Sequence, residues 1–162
     1  MAQHKIEIAD SCFKTNSKDL LSASSLGSCV GVAIFDGKIK SGGMMVSMLP
    51  SVAISNEGKG AENPFLFCDT GFERFIEQAK ELGLSLKTAK IVIAGGASFL
   101  DALGPYSVGL KNCEKIKELV SRFNPADNIV TDLGGSENRS LCLDLSTGQI
   151  LIDVWGKQTK KI

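Results

Sequence analysis

Histidine is almost absent from this chain, since among 162 residues only His4 is one. A single imidazole cannot build a histidine-based metal cluster, and a nucleophile elsewhere in the chain must find another base or work without one. Excess charge is missing too: 18 Lys and Arg balance 18 Asp and Glu, with no long run of either sign. That removes the electrostatic footprint expected of a nucleic-acid binder or of a protein attracted to an anionic membrane surface. No apolar run approaches the roughly 20 residues of a membrane span, and Met1-Ala2-Gln3-His4-Lys5 leads into alternating Ile6-Glu7-Ile8 rather than an apolar leader. The expectation is a cytoplasmic protein with no membrane insertion. The five cysteines (12, 29, 68, 113 and 142) are odd in number, widely spaced and contain no C-x-x-C pair, so neither a disulfide framework nor a zinc knuckle is signalled. There is no phosphate loop with its lysine and no G-x-G-x-x-G between a strand and a helix, so no nucleotide or other cofactor is indicated. Internal repeats and low-complexity tracts are absent.

The length suits one domain spanning 1–162, with enough chain to bury a core. Alternation predicts a first strand over Lys5 to Ala9, followed by a polar, serine-rich segment from Ser11 to Ser25. Gly27-Ser28-Cys29 then opens an apolar run, Val30 to Phe35, that ends at the turn signal Asp36-Gly37; Ser41 to Leu49 is the returning strand, closed by Pro50. Ser51 to Pro64 has loop composition. Phe72, Phe75, Ile76, Ala79 and Leu82 fall at helical spacing, with Thr70 and Glu73 placed as a capping box and Gly83 at the far end. A short strand from Ala89 to Ala94 runs into Gly95-Gly96-Ala97, and a second amphipathic helix is predicted from Asn112 to Phe123. Strands at Asn128 to Leu133, Ser140 to Leu145 and Gln149 to Trp155 follow, the last two joined by a hairpin at Ser146-Thr147-Gly148. Mostly sequential strands with two principal helices specify an α+β fold, a mixed or antiparallel β-sheet sandwich with the helices packed on it.

Three glycine pairs, Gly42-Gly43, Gly95-Gly96 and Gly134-Gly135, lie beside strands. Each can admit a substrate backbone or a phosphate, or can serve a bulge or tight turn, and the second reading is preferred. Asp132, Asp144 and Asp153 can be read as metal ligands, but on alternating strands they belong to the solvated face, and no metal is assigned. Cys29 differs because of its frame. A cysteine after Gly-Ser at the entry to a buried strand can present its sulfur at the sheet edge, with neighbouring backbone N–H groups aimed at a developing oxyanion.

Leu26-Gly27-Ser28-Cys29-Val30-Gly31-Val32, then Gly42-Gly43-Met44 and Met48-Leu49-Pro50, resemble the CheD family of chemoreceptor glutamine deamidases. Asp69-Thr70, Ala94-Gly95-Gly96-Ala97-Ser98-Phe99, Val108-Gly109-Leu110-Lys111-Asn112, Asp132-Leu133-Gly134-Gly135 with Arg139, and Thr147-Gly148 follow in the family's order. The resemblance covers nearly the whole chain. It implies a CheD-like cysteine hydrolase fold and the conversion of receptor glutamine side chains to glutamate. A thiolate attacks the amide carbon, ammonia leaves, and water hydrolyses the thioester. It also implies chemoreceptor cytoplasmic helices as partners and, as a further partner, a CheC-type phosphatase.

On this resemblance Cys29 holds the nucleophile position, framed by Gly27, Ser28 and Gly43. The family's histidine, four residues before the proline, falls on Val46. The family's threonine, six residues before the cysteine, falls on Ala23, with Ser22 or Ser24 as substitutes if the loop is shifted by one. Valine accepts no proton. An ordinary thiol, of pKa about 8.5, is only a few per cent thiolate at neutral pH, and general acid catalysis to a leaving amine contributes about 10²–10⁴-fold. The expectation is therefore a family member with impaired or lost catalysis that acts as a binding module. The alternative is an active deamidase whose base comes from His4 or from a lysine or acidic group of the Ser51 to Pro64 loop. Ser47 can hydrogen-bond but is no base at neutral pH.

Overall fold

The computed structural model describes residues 1–54, 62–98, 107–122 and 128–162. Among the described residues, ten strands form two five-stranded sheets. The first sheet runs in the order β1 (Gln3–Lys5), β3 (Leu20–Ala23), β8 (Arg139–Asp144), β9 (Gln149–Val154) and β10 (Lys160–Lys161). The second runs in the order β2 (Asp10–Lys14), β5 (Ser41–Ser47), β4 (Val30–Asp36), β6 (Lys90–Gly95) and β7 (Ile129–Leu133). Both sheets are mixed, since β1 pairs parallel with β3 and β6 pairs parallel with β7 while the other pairs are antiparallel. Among the described residues, two α-helices complete the α+β sandwich, α1 (Cys68–Glu81) and α2 (Val108–Arg122).

Strand β4 is the centre of the molecule. Every residue from Val30 to Asp36 is buried, because the strand is paired on both edges and covered on both faces. One face turns Ala33 and Phe35 toward Leu21, Leu141 and Ile152 of the other sheet, forming the core between the sheets. The opposite face turns Val32 and Ile34 toward Phe72, Phe75 and Ile116 of the helices. A fully buried side chain of this kind contributes about 1.5–3 kcal/mol, so the two apolar layers are what hold the sheets and helices together. Strand β9 shows what happens at a sheet covered on one side only. Ile150, Ile152 and Val154 point inward and Gln149 and Asp153 outward, the alternation expected of a half-buried strand.

Several sequence expectations are corrected. The first strand is not Lys5 to Ala9: pairing with β3 stops at Lys5, and Ala9 turns the chain with φ 61° into β2. The serine-rich stretch from Ser11 to Ser25 holds most of β2 and all of β3, which stand at or near sheet edges where polar residues are tolerated. Strand β5 ends at Ser47, before Leu49. The capping box does not form: Phe67 is the N-cap of α1 without a side-chain bond, and the Thr70 hydroxyl donates to the Pro64 carbonyl at 2.6 Å. Gly83, with φ +86°, does end that helix, using the left-handed region. Helix α2 starts at Val108, four residues before the expected Asn112. Phe99, Phe123 and half of the Ser51 to Pro64 loop lie outside the described residues.

His4 sits opposite Leu21 in the β1–β3 pair, with Nε2 2.9 Å from Asp19 Oδ2. The backbone N–H of Ala2 and the His4 ring together hold the Asp19 carboxyl at about 2, below its ordinary 3.8. A carboxyl depressed by folding stabilises the native state fully above the unfolded value, and this contribution is lost as pH falls through the folded one. Carboxyl-carbon NMR of Asp19 should accordingly give a midpoint near 2, and Ala2→Pro, which removes the donor, should move it toward 3.8. An unmoved midpoint would refute the assignment.

Candidate functional site

Cys29 closes a tight turn. Gly27 takes φ 54°, and the Cys29 N–H donates back to the Leu26 carbonyl at 2.8 Å. Both sheets hold this turn. On the side of the first sheet, Leu26 N–H donates to the Arg139 carbonyl at 2.8 Å and Gly27 N–H to Asn138 Oδ1 at 2.9 Å. On the side of the second, Gly96 N–H donates to the Cys29 carbonyl and Ala97 N–H to the Gly27 carbonyl, both at 2.9 Å. Gly95 must be glycine for this approach: its φ is +118°, and a Cβ there would stand 2.1 Å from the Cys29 carbonyl oxygen.

Two buried polar side chains brace the frame. Asn112 is fully buried, and its amide nitrogen donates to the Ser28 carbonyl at 2.8 Å and the Met48 carbonyl at 2.9 Å. It thereby ties the cysteine turn to the exit of β5. Arg139 donates to the carbonyls of Gly134 at 2.8 Å, Glu137 at 3.1 Å and Gly95 at 3.4 Å, and pairs with Asp132 at 3.1 Å. Desolvation works against Asp132, yet the bond from Lys160 and the Arg139 charge hold its carboxyl below the ordinary carboxylate range. The third glycine pair, Gly134-Gly135, belongs to the same frame, since Ser98 N–H donates to the Gly135 carbonyl and Gly134 N–H to the Gly95 carbonyl.

The Cys29 sulfur faces the core between the sheets, in one cluster with Ala23, Val46 and Ala94. The β4–β5 register explains how. Gly31 lies opposite Val46 and Val30 opposite Ser47, so Cys29, Gly31 and Val46 share a face, where the Leu26 and Leu141 side chains pack over Gly31. Ala23 and Val46 are each nearly inaccessible, at 1% and 2% exposure, and Cys29 at 6% is scarcely more open. Burial alone pushes the Cys29 thiol above its ordinary value, with no cation acting on it. Among the described residues no side chain hydrogen-bonds to its sulfur.

The other candidates lie elsewhere. Ser47 is on the opposite face of β5, where its hydroxyl donates to the Phe67 carbonyl at 3.4 Å. Gly43 also faces away from Cys29, and a Cβ there would stand 2.4 Å from the Phe13 ring; its role is to admit that ring, which corrects its assignment to the site frame. Ser22 points to the outer side of β3, alternate to the buried Leu21 and Ala23, and Ser24 is exposed. His4 is held by Asp19 at the start of β3, whereas Ala23 ends that strand. The expected set of oxyanion donors is also smaller than the motif suggests. Gly27 and Cys29 spend their N–H groups on Asn138 and Leu26, which leaves that of Ser28 as the unpaired one of the three among the described residues. No group of three or more His, Cys, Asp or Glu among the described residues is arranged to hold a metal ion.

Sequence reasoning gave no role to Asn112 or Arg139 and missed Asn138. For Asn112 a signal existed, because it stands one turn before Ile116 on the apolar face of α2, where a polar residue needs a reason.

The chain that builds this frame is similar to known proteins. A family model described as CheD chemotactic sensory transduction matches residues 48–154. The chain belongs to the CheD family. The matched span starts two residues after Val46 and so leaves out the Cys29 turn, but relatives align across it. A protein of Syntrophus aciditrophicus (strain SB) named probable chemoreceptor glutamine deamidase CheD 1 is 31% identical over 157 residues, 97% of either chain. Probable chemoreceptor glutamine deamidases CheD of Desulforamulus reducens and Haloarcula marismortui are 37% and 34% identical, over 85% of this chain and 82% and 78% of theirs. In this CheD protein Cys29 belongs to the buried cluster between the sheets that also holds Ala23, Val46 and Ala94. No helix among the described residues is long and apolar enough to cross a membrane.

Proposed function

We propose that this CheD protein serves chemotaxis as a cytoplasmic binding module for chemoreceptor helices, with the deamidase chemistry of its named relatives impaired or lost. Cys29 occupies the nucleophile position, and Val46 and Ala23 stand where the family carries its histidine and threonine. The observation that carries this reading is the surroundings of Cys29: a thiol raised by burial alone, in one cluster with Val46, Ala23 and Ala94. Attack on an amide needs a thiolate, and departure of ammonia needs a proton; neither is supplied by aliphatic neighbours. The braced turn, by contrast, needs no chemistry to be a rigid recognition surface. A CheC-type phosphatase is a second partner of the same binding role.

Incubating the protein with cytoplasmic receptor fragments and following each glutamine by mass spectrometry tests the reading. Fragments should be retained on immobilised protein, while Gln-to-Glu conversion stays at the level of a Cys29→Ala control. Conversion that disappears in Cys29→Ala would instead establish a working deamidase with a relocated base.

A further inference from the structure

A cleft of about 270 Å³ opens on the outer face of the first sheet, lined by Ser25, Asn138, Ser140, Asp153 and Trp155. It adjoins the Cys29 turn through shared atoms. Asn138 accepts from Gly27 N–H, and Ser140 Oγ accepts from Ser25 N–H at 3.1 Å. Its other wall is the end of β9. Asp153 pairs with Ser140 across the β8–β9 ladder, and Trp155, two residues on, is held by its backbone N–H to the Asn138 carbonyl at 3.2 Å.

Trp155 is 83% exposed, and it is the only tryptophan of the chain. Asp153 takes one bond on Oδ1, from the Thr159 hydroxyl at 3.1 Å, and its second oxygen has no partner among the described residues. Two of the nearby lysines are already engaged. Lys157 pairs with Glu137 and Lys160 with Asp132, both at 2.5 Å. The lining thus offers a carboxylate, hydroxyl oxygens and an indole face, and no cation of its own.

We propose that this cleft receives the guanidinium of an arginine side chain from a docked partner helix. A planar cation can stack on the indole while its N–H fork reaches the carboxylate, and an anion finds nothing there to pair with. A neutral amide gains neither the ion pair nor the cation–π attraction. That the arginine belongs to a receptor helix rests on the binding role proposed above; the preference of the cleft for a guanidinium does not.

The test uses the full chain labelled with ¹⁵N, whose sole tryptophan gives one indole N–H cross-peak. Titration with N-acetyl-arginine amide should move this peak to saturation. N-acetyl-citrulline amide, of similar shape but neutral, should bind at least about fivefold more weakly, and Asp153→Asn should weaken the arginine probe by a similar factor. Since Asp153 is exposed, the fold of the variant can be confirmed from its unchanged backbone cross-peaks. An indole peak that does not move, or moves equally with both probes, overturns the proposal whatever the receptor-fragment assay gives. Loss of receptor binding with a normal arginine titration would overturn the receptor reading alone.

Discussion

Val46→His raises the rate at which iodoacetamide alkylates Cys29 at pH 7 by about fivefold to tenfold. The size follows from two opposing effects. Burial pushes the thiol up from its ordinary value, so the native protein presents little thiolate at pH 7. Position 46 lies opposite Gly31, on the face that Cys29 shares, and the flexible Leu26 and Leu141 side chains that fill the space over Gly31 would have to give way for a histidine ring to approach the sulfur. An imidazolium beside the sulfur lowers the thiol pKa by up to several units, and each unit multiplies the thiolate about tenfold until it saturates. A less basic thiolate is also a weaker nucleophile, with a Brønsted slope of about 0.4–0.5, which removes part of the gain. The rate of the native protein should still be climbing with pH where that of the variant has levelled off. Placing an imidazole among Ala23 and Ala94 costs about 1–3 kcal/mol, so the comparison is made on variant shown to be folded by circular dichroism. A folded variant with an unchanged rate and profile would mean that the turn no longer presents Cys29 to position 46.

Arg139→Met lowers stability in urea unfolding by about 2–4 kcal/mol. Arg139 is 6% exposed, and its guanidinium joins the carbonyls of Gly95, Gly134 and Glu137 to Asp132. Methionine fills similar space but donates nothing, leaving the Gly95, Gly134 and Glu137 carbonyls to find other partners. Asp132 retains Lys160, which limits the loss, because the carboxylate is not left without a counter-charge. The variant should also alkylate faster at Cys29, since Gly95 and Gly96 lie against the Cys29 carbonyl. A stability change below about 1 kcal/mol would show that water replaces the guanidinium without penalty.

Much of the fold is legible in the chain because it rests on local patterns. The run Val30 to Phe35, the turn at Asp36-Gly37 and the returning strand are written in apolar continuity and turn chemistry, as is the amphipathic face of α1. Strands β2 and β3 are not. They are short pieces within a serine-rich stretch, β2 polar and β3 only four residues long, and the edges of β5 and β8 pair them into strands. The capping box failed for a related reason: the Thr70 hydroxyl found the Pro64 carbonyl, a partner supplied by the preceding turn rather than by its own helix.

The site divides in the same way. By itself the sequence determined the CheD resemblance, the Gly-Ser-Cys turn and the presence of valine and alanine at positions 46 and 23, because these are matters of residue type and order. Tertiary structure decided which residues share space with the sulfur. Strand register put Val46 on the Cys29 face and Ser47 and Gly43 on the other, since neighbours along a strand point to opposite sides. Chain crossings brought Asn112, Asn138 and Arg139 to the turn from more than eighty residues away, by hydrogen bonds whose partners no spacing announces. His4, the chain's one imidazole, was legible as a residue, but only the pairing of β1 beside β3 gave it Asp19 as its partner.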